Sequence, residues 1–169
     1  MDFTPEIGVM LVGCALASYT DSTTGKILNV LTGPMIIGGL LVHTFGGDWT
    51  LGVYGFLAAT VIHYPLWMLG VEKGGDVKLL MGIGACVGAY ELIETTFWFA
   101  ALYIPVGFGV LMYRRRLGNV KNVALHMAKK ATGAAAGDEE APPATILWTG
   151  PVISAAAVVA WLTDLPVLQ

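Results

Sequence analysis

Apolar residues run almost unbroken through six stretches of this chain, separated by polar connections. The stretches are about Pro5 to Tyr19, Ile27 to Phe45, Trp49 to Leu69, Val77 to Leu92, Thr95 to Met112 and Ala144 to Leu162. Most are close to the roughly 20 residues that a helix needs to cross a hydrocarbon core about 30 Å thick. The first is short, but Ser18, Tyr19 and Thr20 extend it into an interfacial region. The runs are continuous rather than alternating, which argues against the strands of a membrane barrel. The pattern predicts an all-α, polytopic membrane protein with about six transmembrane helices. It forms one domain over 1–169, with no internal repeat. The connections are T-D-S-T-T-G-K at Thr20 to Lys26, a tight Gly46-Gly47-Asp48 turn, and a glycine turn at Gly74 and Gly75. Pro105, with Gly107 and Gly109, is placed to kink the fifth stretch.

The long polar segment, 113–143, divides in two. Leu117, Val120, Val123, Ala124 and Met127 recur at three-to-four spacing and make one apolar helical face. Arg114 to Arg116 precede it, and Lys121, Lys129 and Lys130 supply polar positions. This reads either as an interfacial amphipathic helix held by anionic membrane lipid or as a solvated loop behind a basic cluster. The rest, A-T-G-A-A-A-G-D-E-E-A-P-P at Ala131 to Pro143, has the composition of a flexible linker.

Composition sharpens the class. The 169 residues are 56% hydrophobic and 12% charged, against about 45–50% and 25% in soluble domains. The 22 glycines suit membrane helices. A net charge of −3, with no basic patch, leaves nucleic acid without a footprint. The nine Lys and Arg residues are more informative. If the six helices alternate in direction, all nine fall on the side of the first, third and fifth connections. The positive-inside rule makes that side cytoplasmic and puts both termini outside. The N-terminal residues include Asp2 and Glu6 and no Lys or Arg, so they lack the positive region of a secretory signal. Cys14 and Cys86 both lie in apolar runs, where they read as small buried hydrophobes rather than a metal pair or disulfide framework.

Candidate chemistry concentrates in V-E-K-G-G-D-V-K-L-L, Val71 to Leu80. Asp76 stands at the mouth of the fourth apolar run, where a carboxylate is costly and marks a functional site if a partner exists. The partner is Asp21, which alternation brings to the same face. Two close carboxyls cannot both ionise easily, so they share a proton. One then acts as general base on water and the other as general acid on a scissile carbonyl, with no metal or other cofactor required. Read alone, each aspartate also fits a helix cap or turn former. A proton or cation relay in a small transporter or channel subunit would use the same pair, and an assembly factor would need neither carboxylate.

These strings resemble a known family. G-G-D-V-K-L-L at Gly74 to Leu80 resembles the G-x-G-D signature of the type IV prepilin peptidases, which are membrane aspartic peptidases. D-S-T-T-G-K-I-L-N at Asp21 to Asn29 is similar to that family's first-aspartate motif, and Pro142 and Pro143 resemble its proline-led last helix. The resemblance implies a leader peptidase for prepilins or pilin-like proteins, with Asp21 and Asp76 as the catalytic dyad. Lys78 and Asn29 would support it, Gly75 would let the backbone approach an extended substrate, and Gly74 would loosen the turn. Two positions depart from the pattern: Lys73 replaces the motif's first glycine, and Leu28 replaces the proline before Asn29. Long members carry an insertion with paired CxxC zinc ligands, linked to methylation of the new N-terminus. The sequence has no such pairs, so the resemblance is to short, peptidase-only forms, such as those of Flp (tight adherence) pili or the archaeal preflagellin peptidases, without S-adenosylmethionine binding. The basic leader of a substrate would meet acidic groups such as Glu72, Glu139 or Glu140. His43, His63 and His126 share no ligand spacing and read as structural histidines.

Overall fold

A computed structural model describes residues 3–69, 71–113 and 148–163, and every element among them is a helix. In chain order these are α1 (Pro5–Thr24), α2 (Asn29–Gly46), α3 (Trp49–Met68), α4 (Gly74–Tyr113) and α5 (Thr149–Thr163). The expected amphipathic helix and linker, from Arg114 through His126, Glu139, Glu140 and the Pro142–Pro143 pair, lie outside the described residues.

α1 runs about a turn further than the polar string Thr20 to Lys26 suggests. The hydroxyls of Thr20, Thr23 and Thr24 bond back to the carbonyls of Ala17, Tyr19 and Thr20, so these residues satisfy themselves inside the helix. Gly25 ends it in the left-handed region, at φ 68°, where its N–H reaches the Asp21 carbonyl at 2.8 Å. Asp21 therefore sits on the last turn of a helix rather than in a loop. Gly74 and Gly75 likewise belong to the first turn of α4. The Gly46-Gly47-Asp48 connection is as tight as expected, with Gly47 at φ 90° capping α2.

The fourth and fifth apolar runs form one element, α4, broken only at Gly88 (φ 90°, ψ 179°). His63 on α3 contacts Glu72, just before α4, and also Thr96, beyond Gly88. A continuous helix would separate residues 72 and 96 by about 36 Å, at 1.5 Å per residue. The chain therefore reverses at Gly88, and α4 is a helical hairpin. The reversal comes earlier than the break expected between the runs that end at Leu92 and begin at Thr95, and Glu94 is buried within the returning half. His43 Nε2 donates to the Cys86 carbonyl at 2.7 Å, satisfying an acceptor beside the reversal.

The first half of α4 is the centre of the bundle: Val77, Leu79, Leu80, Ile83, Ala85 and Cys86 are all buried. Close approach at glycines lets its neighbours pack. A Cβ on Gly55 would run into the Gly84 carbonyl oxygen, and one on Gly39 would lie 2.7 Å from the Ala85 backbone. Helix α5 lies across α1 and α4. The outer surface is apolar, with Val30, Phe45 and Val61 more than two-thirds exposed. By length and composition, α2 and α3 are each apolar enough to cross a membrane, and α5, at 15 residues, is a shorter apolar helix.

Candidate active site

Asp21 comes from the last turn of α1, and Asp76 from the first turn of α4. Both are buried, with 2% and 3% of their surface exposed. A carboxylate on a first turn faces the positive end of the helix dipole, which favours Asp76. Its backbone N–H also bonds to the Lys73 carbonyl at 3.0 Å. Asp21, at the opposite end of its own helix, lacks that help and is served by another.

That other helix is α5. Thr149 Oγ1 donates to Asp76 Oδ1 at 2.7 Å, and the Gly150 N–H donates to Asp21 Oδ2 at 2.8 Å. The first N–H groups of a helix have no partner within it, and here one is spent on a carboxylate. Adjacent residues have Cα atoms about 3.8 Å apart, so one residue step of α5 spans the two carboxyls and brings the expected pair together. The register of α5 is fixed one turn on. Ser154 donates to the Cys14 carbonyl at 3.0 Å and accepts from Ser18 at 2.8 Å.

The fit at Gly150 is tight. A Cβ there would stand 2.9 Å from Asp21 Cβ and 3.1 Å from Oδ2. Asp76 lies just outside the apolar run that begins at Val77. Burial pushes its carboxyl up from the ordinary aspartate range; the Thr149 hydrogen bond and the Lys73 charge pull it down, and the Asp21 charge adds a smaller push upward.

The other expected residues sit around this centre. Lys78 Nζ donates to Asn29 Oδ1 at 2.8 Å on the exposed side, linking the start of α2 to α4. Gly75 packs against Ile27, whose Cβ would lie 3.0 Å from an added methyl, and Gly74 packs under the Trp67 indole. Both glycines face the protein's own side chains in the described structure. Among the described residues no cluster of three or more His, Cys, Asp or Glu could hold a metal ion. Thr149 and Gly150 did not emerge from the sequence reading. Their one local signal is a hydroxyl and a glycine directly before Pro151, as at a helix start.

Residues 8–108 match the profile of a family described as the type IV leader peptidase family. A preflagellin peptidase of Methanococcus voltae is 27% identical over 84 residues, which make up 50% of this chain and 28% of that protein. The matched part thus spans little more than a quarter of that relative's length. No solved structure matches. The matched span contains Asp21, Asn29, Asp76 and Lys78, whereas Thr149 and Gly150 lie beyond it.

Proposed function

The chain belongs to the type IV leader peptidase family, and from that premise we propose that it is an aspartic endopeptidase of the cytoplasmic membrane. It removes the leader from prepilins or pilin-like proteins. The observation that carries this reading is the double contact of α5: Thr149 on Asp76 and Gly150 on Asp21. Two carboxyls bonded by adjacent residues of one helix, with Asp76 displaced upward by burial, support a reading in which Asp76 keeps a proton for acid–base hydrolysis.

In the proposed reaction, Asp76 carries the proton and donates a hydrogen bond to the scissile carbonyl. Asp21 takes a proton from a water molecule as its oxygen attacks the carbonyl carbon. The tetrahedral intermediate collapses with proton transfer to the leaving amine, and the carboxyls exchange roles. Lys78 and Asn29 flank the site as supporting residues. The leader would run past the α4 start, and the substrate's hydrophobic helix would lie against the apolar exterior.

A six-pass arrangement fits the five elements with α4 counted twice. Asp21, Asp76, Thr149, Lys26, Lys73 and Lys78 then share one end of the bundle, which the positive-inside rule makes cytoplasmic. A relay would favour carboxylates near mid-span on a broken helix. The break here is at Gly88, and the carboxyls lie at the other end of that half-helix.

The test is cleavage of a purified prepilin by the full chain in detergent, beside Asp21→Asn and Asp76→Asn at matched expression. Wild type is expected to shorten the substrate and each folded variant to leave it intact. Variants that cut like wild type would remove the dyad mechanism.

A further inference from the structure

Three polar side chains that the proposed reaction does not use meet inside the bundle. His63 on α3 is fully buried. Its Nδ1 lies 2.9 and 3.1 Å from the two carboxylate oxygens of Glu72, and its Nε2 lies 3.1 Å from Thr96 Oγ1. The Thr96 hydroxyl also bonds back to the Leu92 carbonyl at 2.9 Å. A carbonyl only accepts, so that hydroxyl's single hydrogen is committed there and it receives the hydrogen of Nε2. One proton is left between Nδ1 and Glu72, and the pair is bonded whichever atom holds it.

The location gives this cluster a purpose. Glu72 lies in the α3–α4 connection, four residues before Asp76, and Thr96 is on the returning half of α4. His63 therefore grips both flanks of the element that carries the carboxyl. Between Glu72 and Asp76 the chain makes one turn, closed by the Asp76 and Val77 N–H groups on the Lys73 carbonyl at 3.0 and 3.3 Å. An apolar residue would fill the His63 site with no desolvation cost. A buried histidine with both nitrogens engaged instead fixes direction as well as distance.

We propose that His63 and Glu72 are positioning residues for Asp76, setting the register of the first turn of α4 so that its carboxyl meets Asp21. This inference rests on the aspartic-peptidase reading for its kinetic consequence, but its structural consequence stands apart from activity. The experiment compares the wild-type full chain with His63→Ala, Glu72→Ala, Glu72→Gln and Thr96→Val. Two readouts are taken: cleavage kinetics on a prepilin, and hydrogen exchange at the Asp76 and Val77 amides.

The two alanine variants are expected to lose about 10–100-fold in kcat, since a misplacement near 1 Å costs about that much, with KM within about two-fold. Exchange at both amides should quicken. Glu72→Gln, which keeps one hydrogen bond to Nδ1, is expected to recover most of the loss. Thr96→Val, which spares the Glu72 contact, should show a smaller form of the same change if an alanine variant does not fold. Folded variants with wild-type kcat would overturn the proposal, as would a lower kcat with unchanged exchange, which would mean a role other than positioning. If wild type cuts nothing, the peptidase reading falls, and faster or unchanged exchange still decides whether His63 and Glu72 hold the turn.

Discussion

Replacing Gly150 with alanine tests whether α5 sets the dyad geometry. The added methyl would stand 2.9 Å from Asp21 Cβ, 3.1 Å from Asp21 Oδ2 and 3.3 Å from the Ala17 carbonyl oxygen. Carbon atoms pack best at about 3.5–4.0 Å, so something must yield by about 0.6–1 Å. Helix α5 cannot slide freely, because Ser154 is bonded to Cys14 and Ser18 one turn on. The strain falls on Asp21, which is carried by a helix and cannot relax as a loop residue would. Either its side chain rotates or the 2.8 Å bond from the Gly150 N–H lengthens. Overpacking of this kind costs about 1–3 kcal/mol of stability, and a displacement near 1 Å at a reacting group costs up to about 100-fold in rate. In a prepilin cleavage assay, Gly150→Ala is expected to lower kcat by about 10-fold or more, with KM little changed. The control is Gly33→Ala, where an added methyl meets nothing within 4 Å; it should keep full activity. Full activity in Gly150→Ala, with Asp21→Asn inactive, would refute the claim that α5 defines the site.

Two further outcomes follow from the same contacts. Thr149→Val removes the donor to Asp76 Oδ1 and with it a bond that holds the Asp76 carboxyl down. The protonated form is then favoured further, so the alkaline limb of the kcat profile should move to higher pH; Thr149→Ser should restore it, and an unmoved limb would show that Asp76 does not supply the titrating proton. Gly88→Ala forces a side chain onto a backbone at φ 90° and against Leu51 at 3.1 Å, which should cost about 1–3 kcal/mol, read as a lower thermal midpoint in detergent.

Much of the scaffold was legible because it obeys simple periodicity. Continuous apolar runs marked the helices, and the glycine at 47 marked the tight turn between α2 and α3. Asp21 and Asp76 stood out because carboxylates at the ends of apolar runs are conspicuous. What escaped depended on contacts far apart in sequence. Gly150 meets Asp21 across 129 positions, and Thr149 meets Asp76 across 73. No local pattern distinguishes that threonine and glycine from an ordinary helix start. His63 read as structural because Glu72 and Thr96 come to it only when the chain reverses at Gly88. That reversal precedes the gap between the fourth and fifth apolar runs because Glu94, which interrupts them, is buried inside the returning half rather than lying at its edge. Asp21 was assigned to a turn because threonines read as polar punctuation, although their hydroxyls can be spent within the helix.

The position of α5 in the chain also sets a timetable for biosynthesis. A ribosome releases this protein from its N-terminus, so the helices bearing Asp21 and Asp76 are made well before residues 149 and 150. Until α5 arrives, neither carboxyl has the hydrogen bond that this helix supplies, and contacts of such long sequence separation are late to form. The two aspartates acquire their final arrangement only when the last described helix docks. Under the proposed function, hydrolysis would then wait on the docking of α5 rather than on the helices that carry the two aspartates.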